Sequence, residues 1–190
     1  MHAGTVIHGV RADKQWSQRE LARRCGVAQP SISDIESGER DTTVGKLEQI
    51  LRPAGYRLVA IPTTRPTVAD WAASLRGTGA DSSGVVRKSL VQISDDLAAA
   101  RPTTCIALCL TPPAPTGDRR IDAALAALVE TALTARHLPV PDWVDEPGRR
   151  TDVAWDLVSH PKLRDRARAS TPEPFRRRNV FVPDEFFESV

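Results

Sequence analysis

Between Ser17 and Gly38 the chain reads SQRELARRCGVAQPSISDIESG, and in its second half Gln29, Ser31, Ser33 and Asp34 offer hydrogen-bonding chemistry. Ile32 and Ile35 recur at helical spacing and face inward, which leaves those four polar side chains outside. The elements that hold them are legible locally. Ser17 and Glu20 have capping-box spacing, so the hydroxyl accepts from the backbone N–H three residues on while the carboxylate reaches back. Leu21 and Ala22 give that first helix an apolar side. Gly26 permits a left-handed turn that a side chain would penalise. The second helix starts near Gln29 with Pro30 in its first turn, where a missing N–H costs nothing, and Gly38 ends it. Two short helices joined by such a turn form the arrangement that lays a polar helix face in the major groove of DNA.

These residues resemble the phage-repressor-like helix-turn-helix family, also called the Xre family. The matching pattern is Arg11, Ser17-Gln18, Glu20-Leu21-Ala22, Gly26-Val27, Ser31-Ile32 and Ile35-Glu36-Ser37-Gly38, extending through Arg40 to a helix over Val44–Leu51. It covers about the first third of the chain. The resemblance implies that Gln29, Pro30, Ser31, Ser33 and Asp34 face base edges or phosphates of duplex DNA. Gln29 is the residue suited to adenine, through its amide donor and acceptor. Pro30 has no polar group where some relatives have one, which narrows the readout. Gln18 stands at the start of a helix, where backbone N–H groups and the helix dipole favour an anion. Arg40 follows the second helix, and Thr43 and Lys46 begin the next. These four are the expected phosphate contacts. The family also pairs an arginine at the position of Arg11 with the glutamate at Glu36.

Composition sets broad limits. A chain of 190 residues holds one large or two small domains, each with a real core. Its net charge is only +2. The first 61 residues, with nine Lys and Arg against seven Asp and Glu, also reach only +2. That excludes a non-specific coater of DNA and fits a specific binder with a few placed cations. Three cysteines, an odd number, argue against a disulfide framework. Cys25 closes a helix, and Cys105 and Cys109 share a face one turn apart. With no second Cys/His pair at zinc spacing, they read as small core hydrophobes. His2, His8, His137 and His160 form no metal constellation. No signal-peptide core and no apolar run long enough for a bilayer is present, so the expected location is the cytoplasm, without membrane contact.

The fold class expected is mainly α: a four- to five-helix N-terminal domain over 1–55, a short strand and linker over 56–66, and an α-helical domain over 67–190. The first helix is expected over Val6–Lys14, with Ile7 and Val10 inward. Thr43 caps the helix Val44–Leu51, whose core face is Leu47, Ile50 and Leu51. Tyr56–Ile61 reads as a β-type run. A lone strand cannot satisfy its own backbone, so it pairs with a strand distant in this chain or in a second subunit, or else lies as an extended arm on the C-terminal domain. Further helices are expected over Val68–Leu75, over a stripe of Val86, Leu90, Ile93 and Leu97 started by Ser82 or Ser83, and over Thr103–Leu110. The strongest follows Asp118, with Ile121, Leu125, Leu128, Val129, Ala132 and Leu133 inward. Leu138–Gly148 reads as irregular and pinned by Trp143. Thr151–Ser159 and Pro161–Ala169 read as two more helices. The aromatic tail after Pro174 is expected to dock and to end in a helical turn. Arg176–Arg178 reads as a solvated turn with one arginine in an ion pair.

No catalytic arrangement is present: there is no HExxH, GxSxG, GxGxxG or phosphate loop, and the chain is read as no enzyme, with no catalytic residue, cofactor or metal. The segments PAPTGDRRIDAALAAL, LPVPDW and PEPFRRRNVFVPDEFFESV resemble actinobacterial regulators encoded beside nucleotidyltransferase-like toxins. That resemblance implies a DNA-binding antitoxin whose second domain contacts a toxin protein. The functional expectation is a sequence-specific DNA-binding repressor that regulates its own gene. It acts as a homodimer on a palindromic operator, with a possible antitoxin role. The alternative is a protein-binding inhibitor in which DNA binding is secondary.

Overall fold

The computed structural model describes residues 3–79, 83–158 and 160–183, with the backbone alone described at 83 and 161–163. The chain divides into two separately packed units, 1–61 and 62–190.

Unit 1 consists of α1 (Ala3–Asp13), α2 (Gln18–Cys25), α3 (Gln29–Ser37), α4 (Val44–Leu51) and a 3-10 turn over Arg52–Ala54. Each predicted punctuation mark does its work. The Ser17 hydroxyl accepts from the Glu20 N–H at 3.1 Å, and the Thr43 hydroxyl from the Lys46 N–H at 3.2 Å. Gly26 and Gly38 close α2 and α3 at φ 67° and 81°, values that disfavour any residue with a side chain. Ile7, Leu21, Ala22, Cys25, Ile32, Ile35 and Ile50 form one buried cluster, and Val10, Leu51 and Ala54 a second, with Leu47 against both. Burying each large aliphatic side chain is worth about 1.5–3 kcal/mol. A Cβ on Gly4 would stand 2.3 Å from the Ile35 carbonyl oxygen, so only glycine lets α1 lie on the end of α3.

Two local expectations are corrected. The Glu20 carboxylate does not close the capping box; it accepts from Arg23 at 2.7 and 3.1 Å and from Arg24 at 2.6 Å. Two guanidiniums at i+3 and i+4 outcompete one neutral N–H. They hold the Glu20 carboxyl at about 2, below the usual carboxylate range. The contribution of this pairing is complete above the ordinary carboxylate pKa and disappears as pH falls through about 2. Tyr56–Ile61 forms no strand within the single chain. It runs extended, with Tyr56 and Leu58 packed on the second cluster and Val59 76 % exposed. A strand needs a neighbour, and the single chain supplies none there.

Unit 2 is built around α8 (Arg119–Thr134). Against it lie α5 (Val68–Ser74), α6 (Ser83–Ala99) and α7 (Pro102–Leu110). Val86, Leu90, Ile93 and Leu97 are buried as their spacing predicts. The Asp118 carboxylate accepts from the Arg120 N–H at 2.9 Å and starts α8. Instead of showing one apolar stripe, however, α8 is buried on every side from Ile121 to Val129. Its alanines 123, 124, 126 and 127 let neighbours approach all round. Ala132 is only half-buried. Trp143 donates its indole N–H to the Cys109 carbonyl at 2.8 Å, pinning the 3-10 turns Asp142–Asp145 and Pro147–Arg149.

The helix expected over Thr151–Ser159 is not formed. Trp155–Asp156 is β1, paired in parallel with β2 (Val180–Phe181), Trp155 opposite Val180. Trp155 and Leu157, like Val180 and Val182, are buried at a period of two, which is the strand period. Between the strands come α9 (Pro161–Ser170) and α10 (Glu173–Arg176). The arginine run is also more than a solvated turn. Arg178 is 1 % exposed; it donates to Glu130, to the Pro174 carbonyl at 2.8 Å and to the Val144 carbonyl at 2.8 Å. Arg177 donates to the same Glu130 and to Asp145 at 3.0 Å. Arg176 donates to the Thr171 carbonyl. Burial lowers the Arg178 pKa, whereas donating a hydrogen bond to the Glu130 carboxylate raises that of Arg177. The tail thus docks as far as Val182, and its expected final helical turn, with Ser82 and His2, lies outside the described residues.

Candidate nucleic-acid interface

The N-terminal ends of α2 and α3 border one open concavity, lined by Arg11, Ser17, Gln18, Arg19 and Gln29. The first N–H groups of any helix lack partners within it. At α3 no side chain caps them: Ala28 is the N-cap residue and Pro30 occupies the first turn. Both helix dipoles present their positive ends here.

A chain of hydrogen bonds runs through the concavity. Arg11 donates to Glu36 at 2.9 and 3.2 Å and to the Trp16 carbonyl at 3.1 Å. Gln18 donates through Nε2 at 2.8 Å to Glu36 Oε2, an oxygen that also accepts from Arg11. Gln29 donates through Nε2 to the Gln18 Oε1 at 3.1 Å. The order Arg11–Glu36–Gln18–Gln29 links α1, α3, α2 and the first residue of α3. Each partner fixes the next amide: Glu36 accepts only, so Gln18 must turn its NH2 group inward and its oxygen toward Gln29. Gln29 remains exposed, with its own Oε1 uncommitted by this chain. The Arg11–Glu36 pair has side-chain exposures of 20 % and 7 %.

The remaining predicted residues fall in two groups. Pro30 is exposed and Ser31, Ser33 and Asp34 are half-buried along α3. Arg40, Thr43 and Lys46 follow α3 and open α4. Arg40 is exposed, its backbone N–H donating to the Asp34 carbonyl at 3.0 Å. Among the described residues nothing pairs with its guanidinium. Thr43 spends its hydroxyl on the cap, and Lys46 donates to Gln49 at 3.4 Å. Gln18 is the member whose surroundings the sequence did not reveal. It is not a free amide but the bridge between Glu36 and Gln29. Arg19 went unnoticed in the sequence. It lies exposed in the concavity, and its place in the first turn of α2 was the available signal.

Among the described residues no group of three His, Cys, Asp or Glu is placed to hold a metal, and no helix is long and apolar enough to cross a membrane. No curated protein and no solved structure matches the chain. Residues 7–61 match the family model described as helix-turn-helix, the domain that DNA-binding transcriptional regulators carry.

Proposed function

We propose that the chain is a sequence-specific repressor of its own gene, acting inside the cell as a homodimer on a palindromic duplex site. The observation that carries this reading is the Gln29 amide, exposed at the tip of α3 and oriented by Gln18 from Glu36. An amide held in one orientation suits bidentate contact with adenine. Pro30, Ser31, Ser33 and Asp34 complete the reading face. Gln18, Arg40, Thr43 and Lys46, joined by Arg19, hold phosphates and set the register. Dimerisation is supported by residues 57–61, which no backbone hydrogen bond ties among the described residues. Such an edge invites a second copy, and two-fold pairing matches half-sites about one helical turn apart.

Footprinting on the promoter of its own gene tests the proposal, with a protected palindrome expected. Arg40→Ala should weaken strong and weak sites alike and flatten the salt slope by about one unit. Equal affinity for every duplex contradicts the reading, and an Arg40 effect at one base position alone makes Arg40 a reader.

A second reading, neutralisation of a toxin-like protein by unit 2, is favoured by one feature. An apolar crease between α6 and α8, lined by Ser94, Ala98, Thr131, Ala132 and Ala135 over Leu128 and Phe175, suits an apolar side chain of a partner protein. Co-expression with the protein encoded next door discriminates: capture by the full chain and not by residues 1–61 supports it.

A further inference from the structure

The crease between α6 and α8 holds more chemistry than its apolar walls. Its floor is Leu128 and Phe175, both buried, and Ala98 faces Ala132 and Ala135 across it. Arg136, just past the end of α8, lines it where α6 stops. The guanidinium is fixed there, donating to the Leu97 carbonyl at 2.7 Å and to the Ala100 carbonyl at 2.8 Å. Those bonds engage two of its five N–H groups. The carbonyl end of a helix offers roughly half an opposing charge, and among the described residues no carboxylate pairs with Arg136. The crease is thus an apolar space with a positioned and only partly compensated cation at one end. Ser94 adds a half-buried hydroxyl to its wall. Thr131 donates its own hydroxyl to the Ala127 carbonyl at 2.8 Å and adds little.

We propose that the crease binds one small apolar carboxylate, its hydrocarbon body over Leu128 and Phe175 and its charged end on Arg136. The inference goes beyond the reading of unit 1 and is tested without DNA. Volume sets the size of the ligand. The space is about 220 Å³, below the range of about 300–1,000 Å³ that drug-sized molecules occupy, so it holds a single ring or a short chain. The walls set its character, because an inorganic anion would exchange its hydration for alanine and phenylalanine. Arg136 sets the charge, since a guanidinium pairs with a carboxylate through a planar fork and the apolar surroundings strengthen that pairing. A neutral hydrocarbon leaves the cation as it was. A phosphate ester brings about two negative charges to one guanidinium.

Isothermal titration calorimetry of the full chain tests this, with phenylacetate, isovalerate and hexanoate as the probes. At least one should bind saturably at one per chain, and about tenfold or more tighter than its own primary amide, because an ionised acceptor roughly doubles the strength of the hydrogen bond. Acetate, which has the charge without the body, should give no binding. Ala132→Leu fills the crease from α8 and should abolish binding with the helical circular dichroism spectrum unchanged. Ala98→Leu, from the exposed wall on α6, should do the same and replaces it where the first variant unfolds. Arg136→Gln, where thermal melting shows it folded, should bring acid and amide to equal affinity. No binding of any probe at about 10 mM, where even an inefficient ligand of about ten non-hydrogen atoms registers, overturns the proposal. So does equal affinity of the wild type for acid and amide, or binding that survives both leucine variants. If no probe binds and Ala132→Leu instead abolishes capture of the protein encoded next door, the crease belongs to a protein partner and the proposal fails.

Discussion

Replacing Glu130 with alanine is expected to destabilise unit 2 by about 3–5 kcal/mol, because a buried charge loses its partner. Glu130 accepts from both Arg177 and Arg178. Arg178 is 1 % exposed, and its other carboxylate, Asp145, is 3.4 Å away and mostly in solvent. Removing Glu130 therefore leaves a guanidinium inside the protein with two carbonyls and little opposing charge. Glu130→Gln keeps an acceptor and should cost less. Amide hydrogen exchange reads the effect where it arises, as faster exchange in α8 and residues 172–183 with unit 1 unchanged. A change under about 0.5 kcal/mol, the range of ordinary surface substitutions, would show that the cluster is already satisfied by solvent.

The second large effect belongs to unit 1. Glu36→Ala removes the acceptor of Arg11 and of Gln18 together. Arg11 retains 20 % exposure, so the loss should fall near the low end of the buried-pair range, at about 3 kcal/mol. Binding should suffer beyond stability, since Gln18 no longer has a fixed orientation to pass to Gln29. Glu36→Gln still accepts from one partner and should retain part of both. Urea titration of the full chain, with exchange in residues 18–37 as the local readout, measures the first effect. Duplex titration at a temperature where the variant is folded measures the second. Wild-type affinity in folded Glu36→Ala would show that the relay plays no part in binding.

The two units differ in how far the sequence exposes them. In unit 1 the signals are local: Ser17 and Thr43 cap, Gly26 and Gly38 stop, and Ile32 and Ile35 face inward within one helix. The Arg11–Glu36 pair was legible through family resemblance. The Gln18 bridge was not, because its partners stand 18 and 11 residues away and each is an unremarkable polar residue by itself. Gly4 likewise shows no sign in the sequence that the backbone of α3 passes beside it. In unit 2 the misreadings are all long-range. Trp155 and Val180 become strand only by finding each other, so Thr151–Ser159 alone reads as readily as helix. Arg178 reaches a carboxylate 48 residues back. The all-round burial of α8 comes from neighbours packing over alanines, which amphipathic spacing treats as neutral.

The central claim is that α3 reads bases through Gln29. Its most direct measurement is equilibrium competition of the wild-type and Gln29→Ala chains on the footprinted duplex and on variants with each base pair changed in turn. Wild type should lose about 1–3 kcal/mol when one particular A·T pair in each half-site is replaced. Gln29→Ala should bind the original site more weakly and become indifferent at that pair alone, still discriminating at the others. If Gln29→Ala discriminates at every pair as the wild type does, or if the wild type binds all the duplexes equally, the account is contradicted.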